Sequence, residues 1–341
     1  MIKLVFVIIG TLIGAGFASG QEIYLFFFSY GIKGLIGIFI SSILIGITIY
    51  KSLILINKYN IRTYIDFLNI FIKTRKQKCY FNIKNIINII INIFILVTFF
   101  IMIAGFGAYF EQQFGINSLF GSIILSIFCF IVFLRNVKGV IKASTILVPF
   151  LIITIMLIGT INIKNINFLN INQYLNRTNN SNYILSSIVY CSYNSILLIP
   201  VLITLKDYLK NKKQIVFIAF ITTAIVLLLS FIIFTLLIRV DVDITKLEMP
   251  AVYVVSNMSK IFEILYGIII LGSIFTTAIS LGTSFLQNTS KSKKGYEQIA
   301  LIMCITSCAI SQIGFSNLIN YLYPIFGYLG IIQIIRLMRR D

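Results

Sequence analysis

Long apolar stretches, separated by polar connections, dominate the hydrophobic pattern of the chain. Each stretch approaches or exceeds the roughly 20 apolar residues that an α-helix needs to cross a bilayer. A transmembrane barrel would instead show segments of about ten residues with alternating polarity. The pattern therefore predicts an all-α polytopic membrane protein with ten transmembrane helices. These cover approximately residues 4–29, 34–56, 85–110, 118–134, 139–161, 183–205, 214–238, 258–286, 296–313 and 317–335.

Composition agrees with this class. Of 341 residues, 59% are hydrophobic and 11% are charged, against about 25% charged residues in an average soluble domain. That balance excludes a nucleic-acid-binding protein, although the net charge is +18. The chain has no His, and its five Cys are scattered without a CxxC pair, so no metal cofactor and no enzymatic activity are expected.

The basic residues indicate an orientation. If the N-terminus is cytoplasmic and each span reverses the chain, 22 of the 28 Lys and Arg residues lie in the cytoplasm. This asymmetry follows the positive-inside rule and predicts that both termini are cytoplasmic. It also predicts attraction to anionic membrane lipid. Two longer connections are expected, a basic cytoplasmic loop at 57–84 and an Asn-rich outer loop at 162–182.

Two halves of similar length each contain five predicted spans, residues 1–161 and residues 183–341. Because five is odd, the second half enters the membrane from the opposite side. The organisation thus predicts a single membrane domain built as an inverted repeat, a construction that many secondary transporters use.

The first helix of each half carries polar or small residues at a corresponding depth. Residues 10–22 include four glycines, and residues 186–195 are rich in Ser, Tyr and Asn. Glycine weakens a helix, and open backbone at membrane depth is tolerated where it lines a cavity. We therefore predict that helices 1 and 6 are discontinuous. Close helix packing by small residues is the alternative, and residues 1–19 also fit a signal peptide.

Residues 10–22, GTLIGAGFASGQE, resemble the opening of the YkvI-type bacterial membrane proteins, a branch of the amino acid–polyamine–organocation superfamily. Residues 102–115 and 190–194 resemble the same branch. The resemblance implies a bacterial cytoplasmic membrane location and the five-plus-five fold of the leucine transporter, with alternating access around helices 1 and 6.

The resemblance also implies a solute site. Backbone amides of Gly14, Ala15 and Gly16 are expected to bind a solute carboxylate, as in related transporters. The third and sixth helices are expected to complete the site. Their candidate residues are Gly105, Tyr109, Tyr190, Ser192, Tyr193 and Asn194.

A sodium site is implied by the same resemblance. Its candidate ligands are the carbonyls of Gly10, Ile13 and Ser273 and the hydroxyls of Thr276 and Thr277. The last three residues share one helical face, and hard oxygen ligands suit such a cation. Alternatively, the hydroxyls bond to their own backbone. Phe17 stands where sodium-coupled relatives use Asn for a second ion, so at most one such ion is expected.

Glu22 is the most notable charge because a carboxylate inside the bilayer is costly, about 3 kcal/mol on insertion scales. It is a candidate to bind a proton, bind a cationic group of a solute, or gate the outer vestibule. Alternatively, it lies at the outer interface in contact with water.

These observations predict an ion-coupled secondary transporter of a small solute such as an amino acid or a related amine or carboxylate. Sodium is the first candidate coupling ion and the proton is the second. A solute sensor similar to spore-germinant receptor subunits is the alternative function. The sequence does not identify a protein partner, and without an ATP-binding motif a primary pump is not expected.

Overall fold

The computed structural model describes residues 1–71, 77–164, 182–240, 242, 244, 247–290 and 292–339. Every regular element in these ranges is helical. The α-helices are α1 (Ile2–Leu12), α2 (Ala15–Ala18), α3 (Gln21–Phe26), α4 (Lys33–Lys58), α5 (Tyr64–Phe71), α6 (Gln77–Phe114), α7 (Ser118–Phe133), α8 (Asn136–Lys164), α9 (Tyr183–Thr204), α10 (Lys212–Leu237), α11 (Pro250–Ser256), α12 (Lys260–Thr289), α13 (Lys293–Ile310) and α14 (Phe315–Met338).

Eight helices of the described residues are long and apolar enough to cross a membrane, namely α4, α6, α8, α9, α10, α12, α13 and α14. Two further apolar helices are shorter, α1 with 11 residues and α7 with 16. At 1.5 Å per residue, α7 reaches only about 24 Å. The structure therefore supports a multi-pass membrane protein, whereas ten full-length spans are not seen in the described residues.

The first predicted span is interrupted, as the sequence predicts. It consists of α1, α2 and α3, followed by a 3-10 turn at Phe28–Tyr30. Gly14 has extended backbone between α1 and α2. Gly20 has φ of 85° between α2 and α3, a left-handed conformation that residues with a Cβ rarely adopt. Glycine is thus needed where the chain turns out of the helix.

The predicted interruption of the sixth span is wrong, since α9 is one continuous helix over Tyr183–Thr204. Its polar side chains bond within the same helix. The hydroxyls of Ser187, Ser192 and Ser195 donate to carbonyls four residues earlier, and so does the Asn194 amide. These side chains are satisfied without opening the backbone.

The prediction of a loop at 57–84 is also wrong. α4 extends to Lys58, α5 occupies Tyr64–Phe71, and α6 already begins at Gln77. The apolar side chains of Tyr64, Phe67 and Leu68 share one face of α5 and are buried. Burial of that face stabilises a helix despite the basic residues around it. Residues 72–76 lie outside the described ranges.

The outer loop predicted at 162–182 is shorter at its start, because α8 continues to Lys164. Residues 165–181 lie outside the described part of the chain, so the Asn-rich segment stays a prediction.

α1 lies at the centre of the bundle, where it contacts α8, α9, α10 and α12. Its residues Ile8 and Ile9 and the following Ile13 are fully buried. Packing pairs recur between the halves of the chain. The first helix of each half packs on the last helix of the same half, so α1 contacts α8 and α9 contacts α14. The first helix of each half also packs on a helix of the other half, so α9 contacts α4 and α1 contacts α10. The first half of the interrupted helix is thus packed against four other helices.

Candidate functional site

The backbone leaves helical geometry at Ile13 and Gly14, deep inside the bundle. Ile13 has φ of −97° and ψ of 77°, and Gly14 has φ of −92° and ψ of −165°. A Cβ on Gly14 would lie 3.1 Å from Thr277 Oγ1 and 3.2 Å from Met102 Sδ. Gly14 is therefore packed closely between α12 and α6. Because α1 ends here, its last carbonyl groups lack the usual partners within the helix.

A threonine of α12 bonds to one of these carbonyls. The Thr277 hydroxyl donates to the carbonyl oxygen of Gly10 at 2.7 Å. On the same helix, the Thr276 hydroxyl donates to the carbonyl of Ser273 at 3.0 Å. All of these residues are buried. The predicted sodium ligands of α12 thus lie against the end of α1.

The approach of the two helices depends on Gly10. A Cβ there would lie 3.0 Å from a Val148 methyl group and 3.1 Å from the Thr276 Cβ. Ile13, the other predicted ligand of α1, is fully buried three residues later. Carbonyl and hydroxyl oxygens of this kind fit a hard cation. The structure also contains the alternative arrangement, since the Thr276 hydroxyl bonds within its own helix.

Glu22, in the first turn of α3, is buried with 3% of its surface exposed. The Tyr193 hydroxyl of α9 donates a hydrogen bond to Glu22 Oε2. The backbone N–H of Phe17 in α2 donates a second hydrogen bond to the carboxylate. Both partners are neutral. The alternative that Glu22 is a water-exposed interface residue is therefore wrong.

Gly16 makes room for this carboxylate. A Cβ on Gly16 would collide with Glu22 Oε1 and would lie 2.8 Å from its Cγ. Gly16, which was predicted to bind a solute carboxylate, thus contacts a carboxylate of the protein itself. Ala15, by contrast, faces the third span, because its Cβ would be 3.2 Å from a Cβ added at Gly105 of α6.

Aromatic rings surround the Tyr193–Glu22 contact. The Tyr193 ring stacks on Tyr323 of α14 with 4.7 Å between centroids, and on Phe26 of α3 at 5.5 Å. Tyr190 lies edge-on to Tyr193 at 5.4 Å and to Phe27 at 4.8 Å. All of these rings are buried. The carboxylate thus contacts, through the Tyr193 hydroxyl, a cluster of buried aromatic rings that stack on one another.

Three of the remaining predicted solute residues contact other parts of the protein. Tyr109 of α6 contacts Gly267 of α12 through its hydroxyl. The Ser192 hydroxyl donates to the carbonyl of Ile188, and the Asn194 amide donates to that of Tyr190. In this structure the side chains of Ser192 and Asn194 thus bond within α9.

Two tyrosines at the site were missed in the sequence. Tyr323 packs on Tyr193 as described, and the Tyr266 hydroxyl of α12 donates to the carbonyl of Ala18 at 2.7 Å. Each tyrosine lies in an apolar span whose inward face the sequence alone does not identify. In α14, the available sequence signal for a tyrosine at the site was the pair Tyr321 and Tyr323, which precedes Pro324.

Residues 247–251, which follow α10 in the chain, contact the interrupted helix. The N–H of Ala251 in α11 donates to the carbonyl of Ser19 at 2.8 Å. The Gln21 side-chain amide donates to the carbonyl of Leu247 at 3.3 Å. These bonds hold Leu247 and Ala251 against the interrupted helix beside Glu22.

Two proteins of Bacillus subtilis (strain 168) are similar to the chain over nearly all of its length. The uncharacterized membrane protein YkvI is 30% identical, and the alignment covers 96% of this chain and 92% of that protein. The uncharacterized protein YyaD is 24% identical, with 98% and 95% covered. No protein-family model matches the chain.

Proposed function

The chain belongs to the YkvI family of membrane proteins, and from that premise we propose that it is a secondary transporter of a small amine-bearing solute. The solute class includes amino acids and related amines. Sodium is the proposed coupling ion, and the transporter is proposed to act in a bacterial cytoplasmic membrane with both termini in the cytoplasm.

The observation that carries this proposal is the environment of Glu22. An ionised carboxylate buried at membrane depth requires a partner, because its desolvation costs several kcal/mol. The hydrogen-bond partners of Glu22 are the hydroxyl of Tyr193 and the amide of Phe17, which carry no positive charge. A cationic solute group would supply the missing charge.

The same contacts favour an amine group over a carboxylate as the part of the solute that reaches this point. Glu22 itself accepts the Phe17 N–H and fills the space beside Gly16. A solute carboxylate placed there would meet a like charge. An ammonium group would instead form an ion pair with Glu22.

Sodium is proposed as the coupling ion because hydroxyl and carbonyl oxygens meet at the end of α1. The Thr277 hydroxyl already contacts the Gly10 carbonyl. Ser273 and Thr276 lie in the same helix as Thr277, and Ile13 directly follows α1. Together with Gly10 and Thr277 they make five candidate ligands. The proton is the second candidate, since Glu22 is a buried carboxyl that can itself carry one.

The packing of the helices supports alternating access as the mechanism. Contacts of α1 with α8 recur between α9 and α14, and contacts of α4 with α9 recur between α10 and α1. Such recurrence is expected of an inverted repeat. We propose that the helices around the interrupted segment rock between two arrangements and expose Glu22 to each side in turn.

Thermal unfolding of the detergent-purified protein tests this proposal. An amine and amino-acid panel would be screened in sodium and, separately, in potassium. A solute at about 100 times its dissociation constant adds about 2.7 kcal/mol to the free energy of unfolding. We expect stabilisation by one class of amine in sodium, and little in potassium, because each ligand strengthens binding of the other.

Two variants identify the sites. Thr277→Ala should remove the dependence on sodium, and Glu22→Gln should remove the response to the amine. Equal stabilisation in sodium and potassium would contradict the sodium site. A response to carboxylates that lack an amine, with none to amines, would contradict the role of Glu22.

A further inference from the structure

A pocket lined by lysines lies where the start of α1 meets α8 and the α9–α10 connection. Its volume is about 540 Å³, within the range of pockets that bind small ligands. Four lysines from these three parts of the chain line it, and we call it the lysine pocket. They are Lys3, Lys138, Lys142 and Lys210.

The charge of the lysine pocket is one-sided. Among the described residues that line it there is no Asp or Glu. Asp207 lies in the same connection but is not a lining residue. Lys138 and Lys142 are also one helical turn apart, a spacing at which like charges repel. An anion bound between the lysines would offset this repulsion.

The connection that carries Lys210 is held by the buried side chain of Gln214. Its Oε1 accepts the Lys210 N–H at 2.7 Å, and its Nε2 donates to the Tyr208 carbonyl at 3.2 Å. Asn211 Oδ1 accepts the N–H of Gln214 at 2.9 Å. These bonds fix the backbone at Lys210, so the pocket is built around an ordered connection.

Two helices begin beside the pocket. Lys138 lies in the first turn of α8, and Gln214 lies in the first turn of α10. The N-terminus of a helix carries partial positive charge, which favours anions, even where, as at Gln214, one N–H is capped by a side chain. The backbone and the lysines therefore favour the same kind of ligand.

The apolar lining indicates which anion. Leu4 and Ile141 line the pocket together with Ile146 of α8, whose side chain is 64% exposed on the outer surface of the bundle. A small soluble anion has no apolar part that could contact this surface. A phospholipid has acyl chains next to its phosphate, and these chains can contact it. The four lysines also lie in segments that the positive-inside rule assigns to the cytoplasmic side.

We propose that the lysine pocket binds the phosphate headgroup of an anionic phospholipid of the inner leaflet, with its acyl chains along Ile146. The bound lipid connects the start of α1 to α8 and to the α9–α10 connection. If α1 moves during transport, which rests on the function proposed above, the lipid also stabilises the arrangement in which these three parts are together.

Native mass spectrometry of the purified protein tests the site without any transport assay. Phosphatidylglycerol and phosphatidylcholine would be titrated separately, and the two dissociation constants compared. The wild type should bind phosphatidylglycerol at least about tenfold more tightly, since its headgroup carries a net negative charge and that of phosphatidylcholine carries none. The double variant Lys138→Gln/Lys142→Gln should lose that preference.

A matched control is available in α13. Lys293 and Lys294 are exposed, lie in the first turn of a helix and are not among the lining residues. Lys293→Gln/Lys294→Gln removes the same charge and should retain the preference for phosphatidylglycerol. Lys210 lines the pocket from the α9–α10 connection, so Lys210→Gln alone should weaken the binding of phosphatidylglycerol. This single variant tests the site if the double variant does not fold.

Three results would overturn the proposal. The first is equal affinity of the wild type for the two lipids. The second is an equal loss in the α13 control and in the pocket variants. The third is competition by soluble glycerol phosphate at the same concentration as the lipid, which would indicate a site for free anions. Because the readout is lipid binding, failure of the transport proposal would leave these results unchanged.

Discussion

The hydroxyl of Thr277 donates a hydrogen bond to the carbonyl of Gly10, 267 positions earlier in the chain, at 2.7 Å. This bond joins α12 to the last turn of α1, immediately before the backbone opens at Gly14. It links the two elements that are proposed to hold sodium.

Thr277→Ala removes the hydroxyl and leaves the Gly10 carbonyl with one partner fewer in a buried site. A buried acceptor that loses its partner costs about 1–3 kcal/mol. We expect a lower free energy of unfolding and a loss of stabilisation by sodium. Thr277→Ser, which keeps the hydroxyl, is the matched control and should retain the sodium response. Thermal unfolding in sodium and in potassium measures both effects. A sodium response that survives in Thr277→Ala would remove this residue from the ion site.

Glu22→Gln keeps the shape of the side chain and removes its charge. Because a buried charge without a cationic partner is costly, the variant without solute should unfold at a temperature no lower than the wild type. Amine binding should be lost. Glu111→Gln changes an exposed carboxylate near the C-terminal end of α6 and should leave binding intact. Titration calorimetry with the amine found by screening would distinguish the two variants. Full affinity in Glu22→Gln would refute the proposed ion pair.

Gly16→Ala tests the close contact between α2 and Glu22. The added Cβ collides with Glu22 Oε1, so the carboxylate must move and its bond with Tyr193 must lengthen. We expect lower stability and weaker amine binding. Gly272→Ala is the control, since its Cβ would be 4.0 Å from Leu147. That change should be neutral or stabilise α12 by up to about 1 kcal/mol. Similar losses in both variants would argue against a specific role of Gly16.

Glu248 lies outside the membrane spans, and its raised pKa predicts that the stability of the fold depends on pH. Partial burial raises the pKa of Glu248, and the charge of Glu111 raises it further, whereas the hydrogen bond from Ser316 lowers it. A raised carboxyl pKa means that the folded state holds its proton longer than the unfolded state. The contribution of this group to stability is therefore lost as pH rises from the ordinary carboxyl pKa through the raised one.

Glu248→Gln should flatten this part of the pH profile of the unfolding temperature. Glu297→Gln, at an exposed position of α13, is the control and should keep the wild-type profile. A Glu248→Gln profile that is as steep as that of the wild type would show that another group is responsible.

The sequence predicted the class of protein, most of the spans and the interruption of the first helix. The interruption was predictable because four glycines lie within 10–20, and Gly20 adopts a left-handed φ of 85°. The interruption predicted in the sixth span was wrong, because a cluster of Ser, Asn and Tyr residues in an apolar span also occurs in a continuous helix. Whether such side chains bond to their own helix depends on rotamers, as for Ser192 and Asn194, which residue types do not specify.

Contacts between distant parts of the chain were less predictable. The candidate pair Gly10 and Thr277 came from spacing and resemblance, and the structure brings the two residues together. Glu22 and Tyr193 were both candidates from the sequence, but their hydrogen bond was not predictable, because the rotation of α9 that brings Tyr193 to Glu22 is fixed only by packing. The helix α5 was missed since its buried face, which includes Tyr64 and Phe67, lies within a basic segment.

Uptake of the amine into proteoliposomes is the most direct measurement of the proposed mechanism. Vesicles would be prepared with an inward sodium gradient, with an inward potassium gradient and without a gradient, for the wild type and for Glu22→Gln. We expect accumulation by the wild type with the sodium gradient alone, and none by Glu22→Gln. Tight amine binding without accumulation under any gradient would contradict transport and would favour a solute sensor.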